Sequence, residues 1–286
     1  MNKEADITGT SRGLRFTSIV LANWRNFAQA DTALQRRVFL VGPNASGKSN
    51  FLDAFRFLRD LVVDGGGLQE AVRRRGGVSN LRALSARRPS DILVRTTIGD
   101  DATQDIWAYE VEFTQDINQR AVLKREIVKK GNVEICKRPD DDDRKDPELL
   151  TETHIEQTKA NREFRPLAEF FASTRYLHLV PQLVREPDRS VGHKDDPYGG
   201  DFLETVAKTN EKTRDAWLRR IRDALRVAVP QLTGMELWRD VKGTPHLRGK
   251  YKHWRPQGAW QTEEQYSDGT LRLIGLLWAI LQGAGP

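Results

Sequence analysis

At 286 residues the chain is long enough for a full hydrophobic core, as one large domain or two of ordinary size. Hydrophobic residues at 38%, seven Trp and eleven Phe exclude a disordered chain, and the lone Cys136 excludes an internal disulfide or a cysteine-based zinc site. A net charge of +6 and a pI near 9.4 lean towards polyanionic partners without naming one.

The N-terminal stretch from Met1 to Gly13 is polar and lacks the apolar run of a signal peptide. The most apolar stretch, Leu271 to Leu281, is too short to cross a bilayer, so the sequence predicts a cytoplasmic protein without a membrane partner. Leu14 to Val20 has β-type composition, Asn23-Trp24-Arg25-Asn26-Phe27 interrupts it, and Arg37 to Val41 predicts a second, buried strand.

That apolar run leads into Gly42-Pro43-Asn44-Ala45-Ser46-Gly47-Lys48-Ser49-Asn50, in which Gly42, Gly47, Lys48 and Ser49 fit the G-x-x-x-x-G-K-[ST] spacing without a mismatch. The glycines allow a tight turn and a close backbone approach to phosphates, so that N–H groups at a helix start point at the anion. Lys48 then reaches the β- and γ-phosphates, and the Ser49 hydroxyl takes a place on Mg²⁺. Phe51, Leu52, Phe55, Leu58, Leu61 and Val62 recur at three- and four-residue spacing, which predicts a helix ending at Gly65-Gly66-Gly67.

Arginines crowd the next stretch: Arg73, Arg74, Arg75, Arg82, Arg87 and Arg88 follow Arg56 and Arg59 of the helix. They read either as a patch that meets phosphates or as a solvated loop whose arginines pair with nearby acids. From Asp91 to Arg138 the apolar period changes to two, which predicts three or four antiparallel strands in a meander, an inserted or appended β-layer. Consecutive residues such as Asp140-Asp141-Asp142-Asp143 do not converge on one cation and predict a solvated loop.

Pro166 to Phe171 predicts a helix, and Thr174 to Pro181 a buried strand with Gln182 directly after it. Asp201 to Val229 reads as one amphipathic helix or two short ones. Met235 to Trp260 is basic and aromatic, with Trp238, Lys242, His246, Arg248, Lys250, Lys252, His253, Trp254, Arg255 and Trp260. This composition suits either a surface that stacks on bases or a twisted hairpin with one wet face. His154, His178, His193, His246 and His253 share no metal-ligand spacing, and no Gly-x-Ser-x-Gly marks a hydrolase nucleophile.

Near the C-terminus, Ser267-Asp268-Gly269-Thr270 precedes an apolar helical run from Leu271 to Leu281, which makes a second candidate anion site at a helix start. Together the two motifs resemble the ABC-type ATPases of the RecF and SMC branch, in particular compact bacterial ATPases related to OLD-family proteins. Asn23 to Phe27 looks like that branch's Asn-Phe-Arg-Ser-Phe opening, Gly42 to Asn50 like its Walker A loop, and Ser267 to Thr270 like its signature motif.

The resemblance implies an α/β P-loop NTPase of ABC/SMC-head type, with a mixed sheet, an antiparallel β-layer and a helical insertion. Residues 1–90 would form the Walker A half of the head, 91–260 the β-layer and helical lobe, and 261–286 the signature motif and its helix. It implies ATP and Mg²⁺ as cofactors and a homodimer joined through ATP, with DNA and an effector protein as candidate partners. Arg25, Gly42, Pro43, Asn44, Ala45, Ser46, Gly47, Lys48, Ser49 and Asn50 would hold the nucleotide. Ser267, Asp268, Gly269 and Thr270 would meet the γ-phosphate of a second copy, while Ser49 and Gln182 would serve the metal.

Such a family continues from its signature helix into a Walker B strand ending in Asp-Glu. The sequence stops at Gly283-Ala284-Gly285-Pro286, so the expectation is the front part of an ATPase, with the catalytic acid unassigned. Two activities remain open: ATP hydrolysis in a nucleotide-sandwich dimer, serving DNA maintenance or anti-phage defence, and an ATP-gated dimerisation and effector-binding module without turnover. A P-loop kinase lacks a recognisable lid.

Overall fold

Alternation of inward apolar and outward polar residues in Arg15–Trp24 builds the first strand, β1, and buries Ile19 and Leu21 on one face. The computed structural model describes residues 13–86, 90–186, 196–254 and 259–283. Arg87, Arg88, His193 and Arg255, which the sequence reading singled out, lie outside the described residues, as do Met1 and the final Pro286. The chain divides into two units, Met1–Thr174 and Arg175–Pro286.

In the first unit β1 pairs antiparallel with β2, Phe27–Ala33, across the turn that carries Arg25 and Asn26. Four further strands continue the same sheet: β3, Ile92–Gly99; β4, Trp107–Gln115; β5, Ala121–Lys130; and β6, Val133–Arg138. The order is β2-β1-β3-β4-β5-β6 with every ladder antiparallel. The period-two reading of Asp91 to Arg138 therefore holds, and its strands are continuous with the N-terminal hairpin.

Helix α1, Lys48–Asp60, lies on this sheet through Phe51, Ala54, Phe57 and Leu58. Phe57 meets Trp24 at 5.2 Å and Phe113 at 5.6 Å between ring centroids, and Phe55 meets Phe16 at 4.7 Å. Truncating a phenylalanine so placed costs about 3–5 kcal/mol. Two short helices, α2 at Leu68–Arg73 and α3 at Val78–Leu81, follow, and α5, Arg165–Ser173, closes the unit through Leu167, Phe170 and Phe171 after a short α4, Asp141–Lys145.

Two expectations fail here. Arg37 to Val41 is not a buried strand: it forms no ladder among the described residues, and Phe39 and Val41 are 86% and 93% exposed. The hairpin partner of β1 is β2, drawn from the polar segment before this run, because the turn at Arg25 and Asn26 folds that segment straight back, and β3 takes the other edge of β1. Nor is the acidic run a solvated loop throughout. Asp140 caps α4 by accepting from the Asp142 and Asp143 amides, and Asp143 is buried in an ion pair with buried Arg138.

The second unit has its own core of Leu203, Val206, Leu218, Ile221, Leu247, Leu271, Ile274 and Trp278. Asp201 to Val229 forms two helices, α7 at Phe202–Lys208 and α8 at Glu211–Leu225, divided where Asn210 caps the second. A three-stranded antiparallel sheet follows: β7, Leu232–Arg239; β8, Pro245–Tyr251; and β9, Ala259–Gln261. The last helix, α9, spans Asp268–Gly283.

Thr174 to Pro181 is extended but is not a sheet strand. Its backbone bonds to a neighbouring turn, from the His178 amide to Pro197 O at 2.8 Å and from the Val180 amide to Tyr198 O at 2.9 Å, and forms no ladder among the described residues. No described helix is long and apolar enough to cross a membrane.

Candidate nucleotide-binding site

Glycine at position 47 starts α1 from a left-handed conformation, φ +96°, and Ala45 two residues earlier also sits at φ +63°. The loop from Gly42 to Ser46 is exposed, whereas Gly47 is buried. No side chain caps α1 and no acid stands in its first turn, so the positive end of the helix faces outward without a competing anion. Lys48 Nζ lies across the loop, donating to Gly42 O at 2.8 Å and to Pro43 O at 2.6 Å. These are weak, exchangeable ligands for an ammonium that a phosphate would attract more strongly. Ser49 is exposed in the first turn, placed for a metal held against phosphate. The cradle therefore fits an anionic nucleotide with its cation.

The turn between β1 and β2 is fastened to this helix start by three successive residues. Trp24 Nε1 donates to Asn50 O at 2.9 Å, Arg25 pairs with Asp53 at 3.1 Å, and Asn26 Oδ1 accepts from Asn50 Nδ2 at 2.9 Å. Asn26 Nδ2 also approaches Ser46 O at 3.5 Å. Arg25, which pairs with Asp53, adopts φ +55°, an uncommon conformation for a side-chain-bearing residue. Asn26 thus belongs to the site although the sequence reading gave it no role. Its place inside the five-residue Asn23 to Phe27 motif was the available signal.

Behind α1 the arginines are paired. Arg75 is buried and bonded to Asp53 at 3.0 Å and Asp60 at 2.8 Å, while Arg73 and Arg74 converge on Glu70. Hydrogen bonds from Arg73 and then Arg74 hold the Glu70 carboxyl down to about 2. The solvated reading, in which these arginines meet nearby acids, describes Arg73 and Arg74, and Arg75 goes further into the interior.

In the second unit Ser267 Oγ accepts from the Thr270 amide at 3.2 Å and lies 2.9 Å from Thr270 Oγ1, which fixes the first turn of α9. Arg185, at the end of the short helix α6, Pro181–Arg185, donates to Tyr266 O and to Asp268 Oδ1, each at 2.7 Å. Gln182 lies exposed in that same helix rather than at a strand end. The fold thus gathers Gly42 to Asn50 with Arg25 in one unit, and Ser267 to Thr270 with the Gln182 helix in the other. Among the described residues no group of three or more His, Cys, Asp or Glu side chains could hold a metal.

A glycine-rich loop that opens a helix with an uncapped positive end, laid over an α/β core, defines a phosphate-loop protein. Residues 37–286 match the family described as "AAA domain, putative AbiEii toxin, Type IV TA system", and the chain belongs to this family of P-loop ATPases. No curated protein matches the chain. Among solved structures it is similar to the Smc head domain with an extended coiled coil, bound to the C-terminal domain of ScpA, from Pyrococcus furiosus. That likeness has a TM-score of 0.44 and 13% identity and covers 94% of this chain and 78% of that one. It is also similar to the recombination mediator protein RecF with ATP in the RecFOR pathway, with a TM-score of 0.35 and 15% identity over 94% of this chain and 81% of that one.

Proposed function

We propose that this chain is an ATP-binding head that hydrolyses ATP between two copies of itself, in DNA maintenance or anti-phage defence. The observation that carries the reading is the start of α1, where an exposed glycine loop, Lys48 and uncapped amides meet with no acid in the first turn. Gly42 to Asn50 hold the phosphates in this reading, with Arg25 beside them on Asp53. Ser49 would hold Mg²⁺, which when bound neutralises phosphate charge.

Ser267 and Gly269 act towards a second copy. A Cβ on Gly269 would meet nothing closer than Ser267 Oγ at 4.0 Å, so packing within the chain does not demand a glycine there. A close approach by a second copy would.

A second reading, ATP-driven association without turnover, is favoured by the state of the α1 acids. Asp53 and Asp60 are both held in arginine pairs, so neither is free to activate water. Nucleotide binding and phosphate release, measured on the chain and its Lys48→Ala variant, separate the two. Turnover that requires Lys48 supports hydrolysis; binding that requires Lys48 without phosphate release supports the gated module. Binding indifferent to Lys48 removes both.

A further inference from the structure

Three of the seven tryptophans are more than a third exposed, and all three fall between residues 238 and 260: Trp238 at 37%, Trp254 at 81% and Trp260 at 43%. Trp24, Trp107 and Trp278 are buried and Trp217 is half-buried. Large indoles left in water at one place call for an explanation that core packing does not supply.

Register groups Trp238 and Trp260. On β7, β8 and β9 the pairs Glu236–Arg248, Trp238–His246 and Lys250–Trp260 lie directly opposite one another, which puts these six side chains on one face of the sheet. Leu247, on the alternate face, is fully buried in the core of the unit. Arg248 sits between the two indoles, its guanidinium carbon 4.6 Å from the Trp260 ring centroid and 5.4 Å from that of Trp238. Glu236 grips the same guanidinium at 2.6 Å, so the spacing of the rings is set before any ligand arrives. His246 is held by buried Glu263 at 2.6 Å. Residues 232–254 carry five Lys and Arg, at 239, 242, 248, 250 and 252, against Glu236 and Asp240.

Rigid aromatic faces flanked by an excess of cations match unpaired bases joined by phosphates, because every base offers a π-face and every linkage a negative charge. We infer that the outer face of β7–β9 is a stacking platform for single-stranded DNA, with Trp238 and Trp260 stacking on bases and Lys250 meeting phosphate. The choice of DNA rests on the DNA-maintenance reading above.

Anisotropy of a labelled oligothymidylate, titrated with the full chain without nucleotide, tests it. Trp238→Ala with Trp260→Ala is expected to weaken binding about tenfold or more while leaving its salt dependence unchanged. The corresponding pair of Phe substitutions is expected to retain most of the affinity. Lys250→Gln is expected to lower the salt slope by about 0.7. Thermal melts and far-ultraviolet circular dichroism, measured separately on each variant, show that the second unit stays folded. An unchanged affinity in the alanine pair overturns the platform. So does duplex DNA or an acidic peptide binding as well as oligothymidylate, and preference for oligouridylate overturns the assignment to DNA. A wild-type chain that binds ATP but not oligothymidylate loses the platform and keeps the nucleotide head; the opposite pattern loses the head and keeps the platform.

Discussion

Asn26 and the missing side chain of Gly47 compete for one space: a Cβ on Gly47 would lie 2.3 Å from Asn26 Nδ2. The hairpin turn therefore lies against the phosphate loop at the residue that starts α1: the φ of +96° favours glycine there, and any side chain would also displace the Asn26 amide from its bond with Asn50. Gly47→Ala is expected to lower stability by about 1–3 kcal/mol and to weaken nucleotide binding at least tenfold. Adding Asn26→Ala removes the clash but not the backbone strain, so the double variant should recover part of the stability and little of the binding. Chemical denaturation and calorimetric titration read the two effects separately. Full binding by Gly47→Ala would mean that the loop is not held in this conformation.

Arg138 and Asp143 predict a stability effect far from that loop. Both are buried, their ion pair is backed by bonds from Arg138 to Leu149 O at 2.8 Å and Glu152 O at 2.6 Å, and Asp143 also accepts from the Asp140 amide at 2.8 Å. Asp143→Ala leaves the buried guanidinium with the longer pair to Glu126 at 3.7 Å in place of its close carboxylate and is expected to cost about 3–5 kcal/mol. Asp141→Ala, two residues away and exposed, is expected to change stability by less than about 0.5 kcal/mol. Equal effects from the two would contradict the burial of the pair.

The contrast between those aspartates shows which parts of the architecture are legible in a sequence. Period-two strands from Ile92 to Arg138, a helix opening at Lys48 and a polar break at Asn210 rest on local patterns and are found. The helix nevertheless ends at Asp60, short of the glycines at 65–67, and Arg214, another polar position, lies inside α8. The P-loop family was likewise readable from four spaced residues and a second motif. Arg37 to Val41 and Thr174 to Pro181 have strand composition, but a strand is completed by a ladder partner distant in sequence, which composition does not report. The partner of Asp143 is equally invisible, because a run of four aspartates reads as solvated until Arg138 is brought beneath it. Asn26 was hidden for the same reason: its role is a contact with Ser46 and Asn50, some two dozen residues on.

Glu126 gives the first unit a pH dependence. Burial raises its carboxyl from the ordinary 4.5 to about 7, against bonds from the His154 and Ile155 amides at 2.7 and 3.1 Å and from Tyr109 Oη at 3.2 Å. A folded-state value above the unfolded one means that the native chain keeps a proton the unfolded chain has released. This contribution is fully present below about pH 4.5 and is lost as the pH rises through about 7. Buried Glu156 acts in the same direction, and His154, lowered by burial, acts in the opposite one. Glu126→Gln should therefore lie furthest below the wild type near pH 5, with the gap narrowing by up to about 3 kcal/mol by pH 8. Denaturant midpoints across that range check it, and a gap that widens with pH would refute it.

Gly269 offers the most discriminating test of association through ATP. Its Cβ position is open, so Gly269→Ala should leave the fold intact and, inside the first turn of α9, stabilise it by up to about 1 kcal/mol through helix propensity. If this face meets the γ-phosphate of a second copy, the same methyl group obstructs that approach and ATP-dependent dimerisation should fall. Ser267→Arg is expected to abolish dimerisation outright, but it also removes the Ser267 cap on Thr270, which costs about 1 kcal/mol by itself. Ser267→Ala supplies the control for the lost cap. Light scattering with and without ATP, run beside thermal melts, separates the outcomes: a stable Gly269→Ala chain that no longer associates supports action in trans. A stable chain that associates as the wild type does places Ser267 to Thr270 outside the interface.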